Sequence, residues 1–138
     1  MDKDIEQLVR ARARGLCEYC HSRQTHYPER FQLDHIIARQ HGGNDAAYNL
    51  ALCCLEFNRR KGPNIASIDP ESHKIVPLFH PRNDHWNEHF QWIGAKLSGL
   101  TPGGRATVSL LDINRAPRVV VRQTLIEEGV FPPDEDRI

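Results

Sequence analysis

Apolar residues near the start of the chain recur with helical spacing: Ile5, Leu8 and Val9 lie at i, i+3 and i+4, Asp4 can cap the start and Gly15 can end it. The pattern predicts a helix over 4–14 whose other face carries Arg10 and Arg14. Cys17-Glu18-Tyr19-Cys20 follows in a short segment where a tight turn is expected. Phe31 to Ile37 alternates apolar and polar positions until the doubly apolar Ile36-Ile37, which reads as a strand with an irregular end. His41-Gly42-Gly43-Asn44-Asp45 has the composition of a loop. Asn49 to Cys53 is a second short strand, and Leu55 to Lys61 is a short helix closed by Gly62-Pro63.

Beyond residue 63 the pattern is looser. Ile75 to Phe79 reads as an edge strand, since Pro77 cannot donate to a ladder. Trp86, Phe90 and Ile93, at i, i+4 and i+7, predict a helix from about Asp84, and Thr101-Pro102 has the cap-then-proline order of another helix start. Residues 115–128 fit a last helix ending at Gly129, although Val119-Val120-Val121 favours a strand. The segment Pro132 to Asp136 is rich in proline and acid and is expected to be disordered. With no internal repeat and no low-complexity linker, the expectation is a single α+β domain over 1–130, with a core at 16–63, an extension at 64–130 and an acidic tail at 131–138.

Composition narrows the class. A chain of 138 residues can bury roughly two-thirds of its unfolded surface, enough for one core. No apolar run approaches the roughly 20 residues of a membrane span, and Met1-Asp2-Lys3-Asp4 does not read as a secretory leader. A cytoplasmic location is therefore expected, where four cysteines read as thiols or metal ligands rather than disulfides. Basic and acidic residues balance at 18 each, but five of the acids and only one base lie in 127–138, which leaves 17 bases against 13 acids elsewhere. That bias is too mild to argue for nucleic acid by itself.

The chemistry concentrates between residues 34 and 61. Asp34 and His35 are adjacent, Asn49 follows, and Asn58 precedes Arg59-Arg60-Lys61. Strand neighbours point to opposite faces, so Asp34 and His35 serve one site only if the strand kinks or ends there, as Ile36-Ile37 suggests. Asn58 and Lys61 are three apart on a helix and share a face. Asp34 and Asn58 supply the oxygen ligands that a hard cation such as Mg²⁺ or Mn²⁺ takes, and a neutral imidazole at His35 can remove a proton from water. This is the chemistry of phosphodiester hydrolysis, with basic Arg59, Arg60 and Lys61 available to nucleic-acid phosphates.

Cys17-Glu18-Tyr19-Cys20, Leu33-Asp34-His35-Ile36-Ile37, Gly42-Gly43, Asn49-Leu50 and Asn58-Arg59-Arg60-Lys61-Gly62 together resemble the HNH endonucleases of the ββα-metal fold. The resemblance covers about residues 16–63 and implies a core of two short antiparallel strands and a helix, flanked by an N-terminal helix and a C-terminal helical and strand extension. It implies a DNA-cleaving enzyme whose catalytic set is His35, Asn49 and Asn58. In that set His35 is the general base, Asn49 steadies the loop holding it, and Asp34 and Asn58 bind one divalent cation. Leu78 to Arg82, Trp86, His89-Phe90 and Gly104 to Thr107 resemble the extension of small standalone prokaryotic members.

Many HNH proteins also hold a structural zinc with two Cys-x-x-Cys pairs. Here Cys17, Cys20 and Cys54 match three of the four thiols, but Phe57 stands at the fourth position and Cys53 is an extra neighbour. His21 or His26 could complete a Cys₃His site. The expectation is that zinc is not held and that Phe57 fills the ligand's space. Three other readings compete. One is a non-catalytic nucleic-acid-binding module on a similar scaffold. Another is a zinc metallopeptidase using His85, Glu88 and His89, which match the inverted His-x-x-Glu-His pattern. The last, a thiol redox enzyme, lacks the βαβ context that it needs.

Overall fold

The computed structural model describes residues 2–137. Helix α1 (Lys3–Ala13) starts one turn-position earlier than expected, because Asp2 rather than Asp4 is the cap, accepting from the backbone N–H groups of Asp4 and Ile5. Ile5, Val9 and Ala13 form its inward stripe, and Arg14 ends it in the left-handed region at φ 56°. The Cys17–Cys20 segment then folds into a turn, with the His21 N–H donating to the Cys17 carbonyl at 2.8 Å.

Strands β1 (Gln32–His35) and β2 (Leu50–Cys53) pair antiparallel, with Asp34 opposite Ala51 and His35 opposite Leu50. Helix α2 (Leu55–Lys61) follows directly and stops at Gly62, whose φ of 51° is left-handed. Two further antiparallel hairpins complete the strand content, β3 (Ala66–Ile68) with β4 (Ile75–Pro77), and β5 (Phe90–Ile93) with β6 (Lys96–Gly99). The architecture is thus α+β with three two-stranded antiparallel sheets.

The helix expected from Asp84 is corrected. Only α3 (Trp86–His89) is helical, and Phe90 to Ile93 form β5, which turns at Gly94 with φ 60°. Trp86, Phe90 and Ile93 satisfy a helical spacing, but Phe90 and Trp92 are also alternate strand positions, and the Gly94 turn makes the hairpin close. Helix α4 (Pro102–Leu111) begins as expected, with the Thr101 hydroxyl accepting from the Gly104 N–H at 3.0 Å. Helix α5 (Ala116–Glu127) contains the three valines, so local β preference yields there to the amphipathic face that buries Val119, Arg122 and Leu125.

The C-terminal segment also differs from expectation. Phe131 is buried and packs edge-on against Trp92, with centroids 4.8 Å apart. Asp136, in a short 3-10 turn, meets His21 Nδ1 at 2.8 Å and accepts from Trp92 Nε1 at 3.0 Å. An aromatic anchor and a paired carboxylate offset the ordering entropy that composition alone suggests is lost. Ile138 lies outside the described residues. One continuous core joins α1, β1, β2 and α2 to the extension, running from Val9 through Tyr19, Phe31, Leu50 and Phe57 to Phe79, Phe90 and Ile113. No helix among the described residues is long and apolar enough to cross a membrane.

Candidate active site

Asp34 is turned inward, 3% exposed, while His35, the last residue of β1, is half-buried, and the strand ends there so that both reach one cavity. The Asp34 carboxylate is held on both oxygens. Tyr19 donates its hydroxyl to Oδ2 at 2.6 Å, and Lys61 Nζ lies 3.2 Å from Oδ1 and 3.1 Å from Oδ2. Lys61 also donates to the carbonyls of His35 and Ile36 at 3.1 and 3.2 Å, so its ammonium protons are all directed at β1 and the bend after it. Burial pushes the Asp34 carboxyl up, against the opposing pull of Lys61 and of the Tyr19 hydrogen bond. Burial and the nearby Asp34 charge push the Tyr19 phenol well up, which keeps it a donor.

Lys61 was expected beside Arg59 and Arg60 as a phosphate contact; at 2% exposure it is an interior residue instead. The reason is helical. Lys61 lies one turn beyond Phe57, and the face of α2 that buries the ring also buries the lysine. Arg59 and Arg60 are exposed and line a cleft of about 650 Å³ between α2 and α5, together with Tyr27, Arg115 and Arg118.

His35 is held through one nitrogen. Its Nε2 lies 2.7 Å from Asp45 Oδ1, and Arg39 donates to both oxygens of the same carboxylate at 2.8 and 3.0 Å. Hydrogen bonds from His35 and then Arg39 keep the Asp45 carboxyl below the usual carboxylate range. An ionised carboxylate can only accept, so Nε2 carries the hydrogen and the lone pair of the neutral ring sits on Nδ1.

The loop between β1 and β2 is closed by Asn49, which is buried. Its Oδ1 accepts from the Ile37 N–H at 2.9 Å, while Nδ2 donates to the carbonyls of Ile37 and Asn44 at 2.9 and 2.8 Å. Gly43 is pressed so closely against this bend that a Cβ there would sit 1.7 Å from the Ile37 carbonyl oxygen. Those contacts fold the loop back and carry Asp45 to His35. Asp45, Arg39 and Tyr19 are absent from the set derived from the sequence, because their places depend on this closure and on the N-terminal turn rather than on spacing.

Asp34, His35 and Asn58 line one open cavity of about 520 Å³, with Leu33, Arg39 and Gly62. The Asn58 amide makes no side-chain hydrogen bond among the described residues, and each Asp34 oxygen has two lone pairs, which leaves Oδ1 with capacity beyond Lys61. A carboxylate and a free amide oxygen on one cavity fit a hard divalent cation.

Among the described residues, Cys17, Cys20 and Cys54 form a separate group of three ligating side chains, all buried, with sulfurs within 4.8 Å of one another. Neither proposed histidine joins it, and His21 is turned to Asp136 and stacks on Trp86 at 3.9 Å. The metallopeptidase reading is corrected: His85 precedes α3 in extended conformation, so His85 and His89 do not share a helical face, and His89 Nδ1 lies 2.6 Å from the Thr101 hydroxyl.

Residues 17–64 match the family model described as HNH endonuclease, while no curated protein and no solved structure matches the chain. The matched segment holds the cysteine turn, β1, the closed loop, β2 and α2, so it is this stretch of the chain that is similar to the HNH endonuclease family.

Proposed function

We propose that the protein is a metal-dependent endonuclease that hydrolyses phosphodiester bonds in DNA on a ββα-metal scaffold formed by β1, β2 and α2. The observation that carries the reading is His35, oriented through Nε2 by Asp45 and sharing one open cavity with Asp34 and Asn58. His35 takes a proton from water onto Nδ1 as the water oxygen attacks phosphorus and the bond to the leaving oxygen breaks. Asp45 keeps the ring in the productive tautomer and balances the imidazolium that forms, with Arg39 steadying the carboxylate. Asp34 and Asn58 would hold Mg²⁺ or Mn²⁺. When bound, that cation supplies positive charge against the phosphate and the leaving oxygen. Asn49 is a positioning residue that fixes the bend after β1, and exposed Arg59 and Arg60 meet the nucleic-acid backbone.

A plasmid-nicking assay tests this. The wild type should nick DNA with Mg²⁺ or Mn²⁺ and stop on addition of EDTA, while His35→Ala should lose about 10²- to 10⁴-fold in rate yet still bind DNA. One observation favours a non-catalytic nucleic-acid-binding module instead: the Lys61 ammonium already sits on Asp34. That reading is the correct one if the wild type binds DNA but cleaves it with neither metal.

A further inference from the structure

The three clustered thiols present an incomplete donor set. A closed structural zinc site takes four ligands with Zn–S distances of about 2.3 Å. Cys20 and Cys54 sulfurs are 3.6 Å apart, close to what such a site needs, but Phe57 replaces the fourth thiol. The space in front of the sulfurs is taken by Arg118 from the first turn of α5. Its Nη2 lies 3.2 Å from Cys54 Sγ and 3.9 Å from Cys20 Sγ. The guanidinium carbon stands 4.4 Å from the centroid of the Phe57 ring and 4.2 Å from that of Tyr27. An arginine offers donors and no lone pair, so it cannot act as a ligand, and its fixed charge repels a dication.

We infer that Arg118 does in this protein what a structural metal ion does in four-cysteine relatives: its guanidinium is the cation of the thiol cluster and fastens α5 to the Cys17–Cys20 turn. The aromatic rings favour this arrangement, since a cation is attracted to the negative face of a ring. The guanidinium, whose charge is fixed, points its Nη2 at the Cys54 and Cys20 sulfurs while its carbon stands over both aromatic rings. The inference is independent of the nuclease reading, and none of its tests uses DNA cleavage.

Elemental analysis of protein purified from zinc-supplemented culture should find well under one zinc per chain, and EDTA should leave the thermal unfolding midpoint unchanged. Arg118→Met should lower that midpoint by roughly 5–10 °C, and Arg118→Lys, which restores charge without the planar fork, should recover part of the loss. If Arg118→Met does not fold, the Lys variant and the wild-type zinc content still decide the matter. The double change Phe57→Cys with Arg118→Ala should bind one zinc per chain and become sensitive to EDTA. Stoichiometric zinc in the wild type, with loss of helical circular dichroism on chelation, overturns the inference. So does an unchanged midpoint in Arg118→Met.

Discussion

Asp34 has two duties that a single substitution would confuse. It is a proposed cation ligand, and it is also the buried partner of Lys61 and Tyr19. Removing one member of a buried ion pair leaves the other charge uncompensated, at a cost of about 3–5 kcal/mol. Lys61→Met should therefore destabilise the fold by an amount in that range while leaving both Asp34 oxygens in place. Asp34→Ala should do similar damage to stability and also raise the Mg²⁺ concentration needed for nicking. Urea unfolding together with a metal titration of activity separates the two. An unchanged metal requirement in Asp34→Ala would remove Asp34 from the proposed cation site. The interior position of Lys61 was open to derivation, because any argument that buries Phe57 on α2 also buries the residue four places later. Asp45 had no comparable signal. It is an acid in a polar loop until Asn49 and Gly43 fold that loop onto His35.

At the scale of elements, β1, β2 and α2 were legible because each carries a local signal strong enough to survive packing: alternation for β1, a short apolar run for β2, and a Gly-Pro stop for the helix. The 84–93 segment failed that test, since Trp86, Phe90 and Ile93 suit a helical period while Phe90 and Trp92 suit a strand; Trp86, in the short helix before β5, donates its indole N–H to the Tyr19 carbonyl at 2.9 Å. The junction of α4 with the β3–β4 hairpin was not legible at all. There Arg105 grips buried Asp69 with two hydrogen bonds of 2.9 Å, and the Glu71 N–H and the Ser72 hydroxyl complete the cradle. These contacts, the arginine's first, hold the Asp69 carboxyl below the usual carboxylate range despite burial. A depressed carboxyl takes up its proton at lower pH in the folded protein than in the unfolded chain. Its stabilisation is thus complete above roughly pH 4 and fades as pH falls toward the folded value. Asp69→Asn should unfold more easily than the wild type at neutral pH and show a flatter loss of stability below about pH 4. Thermal midpoints across that range are the measurement, and parallel curves for the two proteins would count against the cradle.

Over the whole molecule, the C-terminal segment closes on the turn that follows α1 and on β5. Arg122, fully buried on α5, donates to the carbonyls of Ala95 and Ile113 and lies 5.4 Å from the Trp92 centroid. Next to it, Phe131 and Asp136 seal Trp92 and His21. Deleting residues 131–138 uncovers an aromatic side chain whose burial contributes on the order of 2 kcal/mol. The shortened chain should melt about 5 °C lower, while the nicking activity proposed for the cavity at His35, which the segment does not line, should be unchanged. Equal midpoints would show the docking to be without energetic weight.

The same closure decides what the protein's own light emission can report. Both tryptophans of the chain lie along this seam, Trp86 stacked on His21 and Trp92 bonded to Asp136, and neither lines the cavity at His35. Intrinsic fluorescence is therefore a gauge of whether the C-terminal segment is seated. An affinity tag that disturbs that segment should change the spectrum of a protein whose β1–β2 loop is intact. Opening of the loop around Asn49 would pass unseen unless a third tryptophan were introduced, for instance at the exposed position of Tyr48.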